Sequence, residues 1–273
     1  MIKNLIFTGG GMKGWAYIGL IRALYESSDY FDVSQVVGVS IGSLFGLLYV
    51  LKTDYNILLD YAISLNLREI FDINLDDILI NQSLLVGNKF TEFVKEVISF
   101  SINPDVTFKE LRYYTKILFT VNAVCLNNSK LEYFNYKLTP DVKVLDAIRA
   151  SCNLPIFLPP YQINENFYFD GGICNNCPSD MVDELQTMAF DVSHPESVNC
   201  SDNKLVDFLN CVVNIINKFH KKETNNIYRI LDEKFKDEFF NLNQSKDDIF
   251  NIYMNGYKNS KEIIFKNCKS LKG

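Results

Sequence analysis

Hydrophobic and polar positions alternate in blocks along the first fifty residues, and the blocks predict a strand, a helix, a second strand and a second helix. The strands are the apolar runs IKNLIFT and SQVVGVS, and the helices are GWAYIGLIRALYESS and GSLFGLLYVL. Strands that are apolar on both faces are typical of a parallel sheet covered by helices on each side. The pattern therefore predicts an α/β fold of three layers with a mainly parallel central sheet.

The same kind of pattern continues along the rest of the chain. Residues 54–114 place apolar side chains three and four apart, which predicts mostly helix. Strand patterns return in KILFTVNAVCL and KLEYFNY, joined by the turn-like NNS, and later in FYFDGG and LQTMAFDVS, while DVKVLDAIRAS predicts a helix. We expect one domain over 1–273, with a motif-bearing core at about 3–190.

Two amphipathic patterns follow residue 203 and predict a mostly helical C-terminal part over about 203–273. They are KLVDFLNCVVNIINKF and DIFNIYMNGYKNSKEIIF. An apolar stripe at helical spacing usually packs against the protein's own core, and we expect these two helices to pack on the sheet.

Composition and charge exclude several classes of protein. The 273 residues are 48% hydrophobic and 22% charged, which suits a large folded domain, and the formal net charge of −6 argues against a nucleic-acid partner. The start, MIKNLIFTGG, is too short an apolar run for a signal peptide. Val33–Leu51 carries no charge, but polar residues and glycines in its first half argue against a transmembrane helix. We expect a cytoplasmic protein.

The glycine-rich stretch GGGMKG, directly after the first strand, has two nucleotide-binding interpretations, and both are contradicted. A phosphate-binding P-loop needs serine or threonine where Trp15 stands. A dinucleotide site needs an acidic residue at the end of the second strand, where the chain has Ser40, and the next acidic residue is Asp54. We expect no nucleotide cofactor, although the dinucleotide glycine spacing is present at Gly9, Gly11 and Gly14.

A serine-nucleophile interpretation accounts for both glycine-rich stretches. Gly38, Ser40 and Gly42 form the pattern Gly-x-Ser-x-Gly at the predicted junction of the second strand and the second helix, where a nucleophile elbow must lie. Acyl transfer through serine also needs backbone N–H donors for the oxyanion. The loop from Gly9 to Gly14, at the end of the first strand, can supply such donors beside Ser40.

A serine hydroxyl needs a base, and the residues leave the base open. Asp170 stands at a strand end before two glycines, an arrangement that fits either an exposed carboxylate or a plain turn. Ser40, Asp170 and His194 also follow the chain order of an α/β-hydrolase triad. Only two predicted strands precede Ser40, however, and His194 lies in DVSHPES, which predicts a surface turn.

The seven cysteines do not predict a disulfide framework or a metal site. Their number is odd and the chain shows no signal peptide, which favours reduced thiols. Cys174 and Cys177 form a Cys-x-x-Cys motif, but no second pair or histidine at zinc spacing accompanies it. We therefore expect no metal.

Four motifs together, GGGMKG, GVSIGS, AIRASCNLPIFLPP and DGGICNNCP, make residues 3–190 resemble the patatin-like phospholipase family, lipid acyl hydrolases with a Ser-Asp dyad. The resemblance implies that Ser40 is the nucleophile and Asp170 its base. It implies oxyanion amides at Gly10 and Gly11, and a basic residue after the glycine triplet at Lys13. The remaining candidate site residues are those of the glycine loop, the elbow and the Asp-Gly-Gly turn: Gly9, Gly14, Gly38, Gly42, Gly171 and Gly172.

The resemblance also implies a substrate and a mechanism. Ser40 would attack a fatty-acyl ester of a phospholipid or another acyl lipid, without metal or cofactor, during transient contact with a membrane surface. The need for an activating protein stays open. Aspartate is a weak base, with an ordinary pKa of about 3.9, so the site must raise that pKa by desolvation or depend on its oxyanion donors. Two alternatives remain, an esterase triad with His194 and a non-catalytic binding module of the same fold.

Overall fold

Eight strands form one sheet within the residues that the structure, a computed structural model, describes: 1–70, 83–193 and 226–268, apart from the side chains of 237–240. In chain order they are β1 (Ile2–Phe7), β2 (Phe31–Gly38), β3 (Leu118–Cys125), β4 (Lys130–Phe134), β5 (Tyr161–Ile163), β6 (Asn166–Asp170), β7 (Thr187–Asp191) and β8 (Ile227–Arg229).

The strand order is β5-β6-β3-β2-β1-β7-β8, and β4 pairs with β3 off this path. The central pairs are parallel, namely β3 with β2, β2 with β1, β1 with β7 and β7 with β8. The pairs of β3 with β4, β3 with β6 and β5 with β6 are antiparallel. The carboxyl ends of the parallel strands β1, β2 and β7 therefore lie along one edge of the sheet, where α/β folds commonly bind ligands.

Helices flank the sheet. In the described residues they are α1 (Ala16–Glu26), α2 (Ile41–Val50), α3 (Tyr55–Ser64), α4 (Leu67–Ile70), α5 (Asn88–Ser99), α6 (Phe108–Thr115), α7 (Val144–Ser151) and α8 (Lys246–Cys268). A 3₁₀ turn, Gly11–Trp15, precedes α1. Helix α6 begins with a capping box, in which the Thr107 side chain and Glu110 satisfy each other's backbone N–H groups.

The alternation of side chains along β1 explains how both faces of the sheet are buried. Leu5 and Phe7 pack into the large core cluster, while Ile6 belongs to a smaller cluster with Val37 of β2 and Ala189 of β7. Leu5, Ile6 and Phe7 are all fully buried. The predicted α/β class, with a mainly parallel central sheet and flanking helices, is confirmed.

The C-terminal helix α8 packs closely on α1, and two glycines make this approach feasible. A Cβ built on Gly19 would lie 2.3 Å from the carbonyl oxygen of Tyr253, and one built on Gly256 would lie 2.4 Å from that of Ala16. Before α8, Gln244 accepts a hydrogen bond of 3.0 Å from Trp15 Nε1, and both side chains are buried. The C-terminal part of the chain is thus attached directly to the turn that follows β1.

Most predicted elements are present with shifted ends. The strand predicted at SQVVGVS begins three residues earlier, at Phe31, and the helix predicted at DVKVLDAIRAS begins three residues later, at Val144. The three-residue strands β5 and β8 were not predicted. The helix predicted at KLVDFLNCVVNIINKF lies outside the described residues, whereas DIFNIYMNGYKNSKEIIF lies within α8. None of the described helices has an apolar stretch long enough to cross a membrane.

Candidate active site

Ser40 stands between β2 and α2 in a backbone conformation that side chains rarely adopt, with φ 50° and ψ −134°. The chain bends so sharply that a Cβ at Gly38 would lie 2.4 Å from Ser43 Cα, and one at Gly42 would lie 2.3 Å from the Thr8 carbonyl oxygen. Both neighbours are backbone atoms and cannot move away easily. The two glycines therefore permit the turn that places Ser40 at the end of β2, as a nucleophile elbow requires.

Two further serines hold Ser40 in this conformation. The Ser40 N–H donates to Ser151 Oγ at 2.8 Å, and Ser43 Oγ donates to the Ser40 carbonyl oxygen at 2.5 Å. These bonds satisfy the backbone polar groups of a buried, strained residue, which would otherwise be costly.

Asp170 reaches Ser40 because β3 lies between their strands. Gly38 of β2 pairs with Val121 of β3, and Asp170 of β6 pairs with Ala123 of β3, two residues further on. Ser40 Oγ consequently donates a hydrogen bond of 2.7 Å to Asp170 Oδ2. The structure thus brings together two residues that are 130 positions apart in the chain.

The second carboxylate oxygen, Asp170 Oδ1, accepts from the Gly172 N–H at 2.7 Å, within the 3₁₀ turn Gly171–Ile173. Both glycines of this turn are tightly enclosed. A Cβ at Gly171 would lie 2.2 Å from Asn122 Oδ1, and one at Gly172 would lie 3.1 Å from Asp170 Oδ1 itself. The Asp-Gly-Gly turn therefore brings a backbone N–H directly onto the carboxylate.

Burial raises the pKa of Asp170 from its ordinary value of 3.8 to about 7, while the hydrogen bonds from Ser40 and Gly172 oppose the rise. Its side chain is 2% exposed, so water scarcely stabilises the charged form. An aspartate with this pKa is a much stronger base than one on the surface. Of the two means anticipated from sequence, desolvation is present in the structure.

The glycine loop lies beside Ser40, and its residues differ in the hydrogen bonds and dihedral angles of their backbone. The Gly9 N–H already donates to Asn176 Oδ1 at 2.8 Å. Gly11 has a positive φ of 56° and begins the 3₁₀ turn, whose first hydrogen bond runs from the Lys13 N–H to the Gly10 carbonyl oxygen at 3.3 Å. The N–H groups of Gly10 and Gly11 come before the first N–H donor of this turn. At the start of a helix such N–H groups have no acceptor within the helix.

The other two predicted members of the loop are packed residues. A Cβ at Gly14 would lie 2.7 Å from Ile41 Cγ1, so the absence of a side chain lets the turn lie against α2. The Lys13 side chain is buried, with 3% of its surface exposed.

An apolar cavity of about 300 Å³ opens beside Ser40. Gly11 of the glycine loop and Cys152, which follows α7, border it, and burial raises the pKa of the Cys152 thiol, so that the thiol stays neutral. Apart from Ser40, Cys152 and two glycines, the described lining consists of large apolar side chains: Met12, Trp15, Ile41, Phe45, Ile70, Leu84, Leu85, Phe90, Phe93, Leu154, Phe157, Leu158 and Leu242. Such a cavity can hold a hydrocarbon chain at the serine hydroxyl.

The remaining sequence candidates are placed as follows. His194 lies outside the described residues. Cys174 and Cys177 are half-buried thiols on the loop after the Asp-Gly-Gly turn. No three histidine, cysteine, aspartate or glutamate side chains of the described residues are grouped as a metal site would need. Sequence reasoning missed Ser151 and Asn176, although both lie within motifs that it singled out.

Comparison with known proteins agrees with this fold. The family model of patatin-like phospholipases matches residues 5–183, and the chain therefore belongs to the patatin-like phospholipase family. The resemblance seen in the four sequence motifs is confirmed.

Two relatives illustrate the range of the family. The chain is 30% identical over 187 residues to "Probable lipid hydrolase 463L" of Invertebrate iridescent virus 6, a match that covers 66% of this chain and 63% of the viral protein. It is 29% identical over 202 residues to "Lysophospholipase NTE1" of Yarrowia lipolytica, covering 73% of this chain and 13% of that protein. The chain thus spans less than two thirds of the length of these curated relatives.

Two solved structures share the fold. VipD from Legionella pneumophila superposes with a TM-score of 0.63 over 97% of this chain and 67% of VipD, at 13% identity. The type III effector protein ExoU gives a TM-score of 0.56 over 98% of this chain and 53% of ExoU, at 15% identity. At such identities the likeness concerns the fold alone.

Proposed function

We propose that this protein is a serine lipid acyl hydrolase of phospholipase A type, which cleaves fatty-acyl esters of phospholipids through a Ser40–Asp170 dyad. The observation that carries the proposal is the 2.7 Å hydrogen bond from Ser40 Oγ to a buried carboxylate at the edge of an apolar cavity. Membership of the patatin-like phospholipase family supports the reaction class.

In the first half-reaction Ser40 Oγ attacks the ester carbonyl carbon while its proton passes to Asp170 Oδ2. With a pKa near 7, the carboxylate is largely deprotonated just above neutral pH and is basic enough to accept this proton in the transition state. The negative charge that develops on the carbonyl oxygen is stabilised by the N–H groups of Gly10 and Gly11, each worth about 2.7 to 4 kcal/mol in comparable sites. The alcohol of the lysolipid then leaves with the proton that Asp170 had taken.

The second half-reaction reverses these roles with water. Asp170, again a carboxylate, removes a proton from a water molecule that attacks the acyl-Ser40 ester, and the same two N–H groups hold the oxyanion. The proton returns to Ser40 Oγ as the fatty acid departs. The site needs no second base, because one buried carboxylate serves both steps.

The surroundings of the cavity support a lipid substrate and transient contact with a membrane surface. Ile156 is 44% exposed and has a φ of 71°, a conformation that a β-branched residue rarely adopts. Its neighbours Phe157 and Leu158 line the cavity. An apolar side chain held outward next to an acyl cavity is suited to dipping into a lipid interface. The net charge of −6 gives no electrostatic attraction to anionic lipid, so this contact should depend on apolar surface.

The domain organisation belongs to the same proposal. Leu242 lines the cavity beside residues of the family-matched part, and Gln244 bonds to the glycine-loop turn through Trp15. We therefore treat 1–273 as one catalytic domain whose C-terminal part completes the acyl cavity. Whether an activating protein takes part is left for the assay to decide.

Fatty-acid release from mixed phospholipid vesicles tests the function. The wild type is compared with Ser40→Ala, Asp170→Ala and His194→Ala, and Ser64→Ala and Asp60→Ala, exposed residues of α3, are the matched controls. Circular dichroism verifies that each variant folds. We expect the Ser40 and Asp170 variants to lose release and the controls and His194→Ala to keep it.

Three results would change the conclusion. If His194→Ala is as damaging as the two dyad variants, a triad replaces the dyad. If the folded wild type releases nothing alone but does so with a cell extract, an activating protein is required. If it releases nothing in either case and a fluorophosphonate does not label Ser40, the protein is a binding module.

A further inference from the structure

The loop that follows the Asp-Gly-Gly turn comes back to the glycine loop through one side chain, Asn176. Its Oδ1 accepts the Gly9 N–H at 2.8 Å, and its Nδ2 donates to the Gly9 carbonyl oxygen at 3.4 Å. The orientation of the amide follows from the partner, because a backbone N–H needs an acceptor. Asn176 therefore engages both polar groups of Gly9, although the two residues are 167 positions apart.

The same side chain lies against the turn that carries the base. A Cβ built on Gly172 would be 3.0 Å from Asn176 Oδ1 and 3.1 Å from Asp170 Oδ1. A Cβ built on Gly9 would be 2.7 Å from Asn176 Oδ1 and 2.9 Å from Ser40 Cβ. The Asn176 amide is thus bonded to the backbone of Gly9 and lies close to Gly172, near both members of the proposed dyad.

The backbone of the residue before Asn176 is held by two hydrogen bonds. The Asn175 N–H donates to the Gly171 carbonyl oxygen at 3.0 Å, and Asn122 Nδ2 donates to the Asn175 carbonyl oxygen at 2.9 Å. These bonds tie the residue before Asn176 to the Asp-Gly-Gly turn and to β3. A run of three glycines has no side chains of its own to hold it in one conformation, so an external contact must do so.

We propose that Asn176 is a positioning residue, which holds the glycine loop at a fixed distance from the Ser40–Asp170 pair and so places the Gly10 and Gly11 N–H groups for the oxyanion. The inference rests on the proposed function and assigns a residue that the dyad mechanism does not use. It also explains why the Gly9 amide is not an oxyanion donor: its N–H is committed to Asn176.

Asn175 provides a matched control because it is the same residue type one position earlier. Its side chain points to other partners, donating to Asp180 Oδ1 at 3.2 Å and to the Tyr133 hydroxyl at 3.5 Å. A change at Asn175 disturbs the loop without touching Gly9.

The experiment compares wild type, Asn176→Ala and Asn175→Ala on micellar p-nitrophenyl octanoate and measures inhibition by an alkyl trifluoromethyl ketone, which forms a tetrahedral adduct with the serine. We expect Asn176→Ala to lower kcat by about 10- to 100-fold, as for a misplacement of catalytic groups by a fraction of an ångström to an ångström, with KM little changed. Its affinity for the ketone should fall by a similar factor. Asn175→Ala should stay close to wild type in both.

A second variant, Asn176→Asp, keeps an acceptor for the Gly9 N–H and adds a negative charge within about 6 Å of Asp170 Oδ1, a distance at which like charges raise a carboxyl pKa. The pH midpoint of kcat/KM should therefore move upward in Asn176→Asp and stay unchanged in Asn176→Ala. The shift in Asn176→Asp checks that position 176 lies next to Asp170, whereas a residue with a merely structural role would alter the melting temperature without lowering kcat or the affinity for the ketone in Asn176→Ala.

The inference is overturned if folded Asn176→Ala matches Asn175→Ala in kcat, or if its loss appears in KM alone. Should Asn176→Ala fail to fold, Asn176→Leu, which keeps the volume but lacks the acceptor for the Gly9 N–H, decides, and a kcat equal to that of Asn175→Ala overturns the inference. A folded wild type that neither hydrolyses the ester nor reacts with a fluorophosphonate overturns the proposed function and this inference with it. If the wild type is active, the dyad variants are inactive and Asn176→Ala behaves like Asn175→Ala, the proposed function stands and this inference alone is overturned.

Discussion

Replacing Asp170 by asparagine should make the protein more stable, by an amount that grows with pH, while it removes activity. Asparagine is nearly isosteric with aspartate. Its Oδ1 can still accept from the Gly172 N–H, and its Nδ2 can donate to Ser40 Oγ. The substitution therefore removes a buried charge, leaves the packing and the Gly172 bond in place, and reverses the direction of the bond with Ser40.

The magnitude follows from the pKa. Burial raises the pKa of Asp170 from 3.8 to about 7, so the folded state holds a proton that the unfolded state has released over that interval. Stability attributable to this group is fully present below about pH 3.8 and is lost as the pH rises to about 7. At 1.36 kcal/mol per pH unit the loss amounts to about 4 kcal/mol above neutral pH, an upper limit for the gain in Asp170→Asn.

Urea denaturation of both proteins at pH values from 4.5 to 8.5 measures the difference in unfolding free energy. The difference should rise with a slope approaching 1.36 kcal/mol per pH unit and become constant above about pH 7. The hydrolysis rate of the wild type should rise through the same interval, because only the carboxylate accepts the serine proton. A difference in stability that does not depend on pH, or a rate that is already constant at pH 5.5, would refute the assignment of Asp170 as a buried base with a raised pKa.

Three further predictions concern the surroundings of the dyad. Gly42→Ala should lower the unfolding free energy by about 1 to 3 kcal/mol, because its Cβ would meet backbone carbonyl oxygens. Gly46→Ala in the same helix, whose Cβ would have its nearest contact at 3.3 Å, should lower it far less, and thermal denaturation compares the two variants. Leu158→Trp should fill part of the acyl cavity and lower kcat/KM for long p-nitrophenyl esters more than for the butyrate, and an equal loss for both would contradict the cavity's role. Gln244→Leu should leave the buried Trp15 Nε1–H without its acceptor at a cost of about 1 to 3 kcal/mol, and an unchanged urea midpoint would be inconsistent with this.

The parts of the site that sequence could predict are those whose chemistry is local. The elbow needs two glycines, a serine and a strand-to-helix junction within a few residues, and all are visible in GVSIGS and its apolar flanks. The glycine loop is equally local, and its position after β1 follows from the strand pattern. Strand ends were less accurate. The three-residue strands β5 and β8 are too short to show any alternation.

The rest of the site depends on which segments, far apart in the sequence, come into contact in the fold. The pattern of hydrophobic residues does not specify these contacts. From the residues alone Asp170 could be a turn or a base, and only the resemblance to a family favoured the base. Its contact with Ser40 is set by the register of β3 with both β2 and β6. Ser151 bonds to the Ser40 N–H across 111 residues and Asn176 to Gly9 across 167. Both residues lie in quoted motifs, yet nothing in the motifs states what they contact.

An aspartate can act as the base of a dyad near neutral pH only if burial raises its pKa. Its two carboxylate oxygens must at the same time keep hydrogen-bond donors. Each added hydrogen bond to the carboxylate would lower its pKa again, and each missing one would leave a buried oxygen without a partner. Asp170 has one donor on each oxygen, the nucleophile on Oδ2 and the Gly172 N–H on Oδ1, and its pKa is still raised to about 7. In the proposed mechanism the donor on Oδ2 is the proton to be removed, so the bond on Oδ1 is the one that opposes the base throughout. In this proposed division one oxygen anchors the carboxylate and the other performs the chemistry. Glycine at position 172 suits it, because a Cβ there would lie 3.1 Å from Oδ1, closer than an ordinary contact.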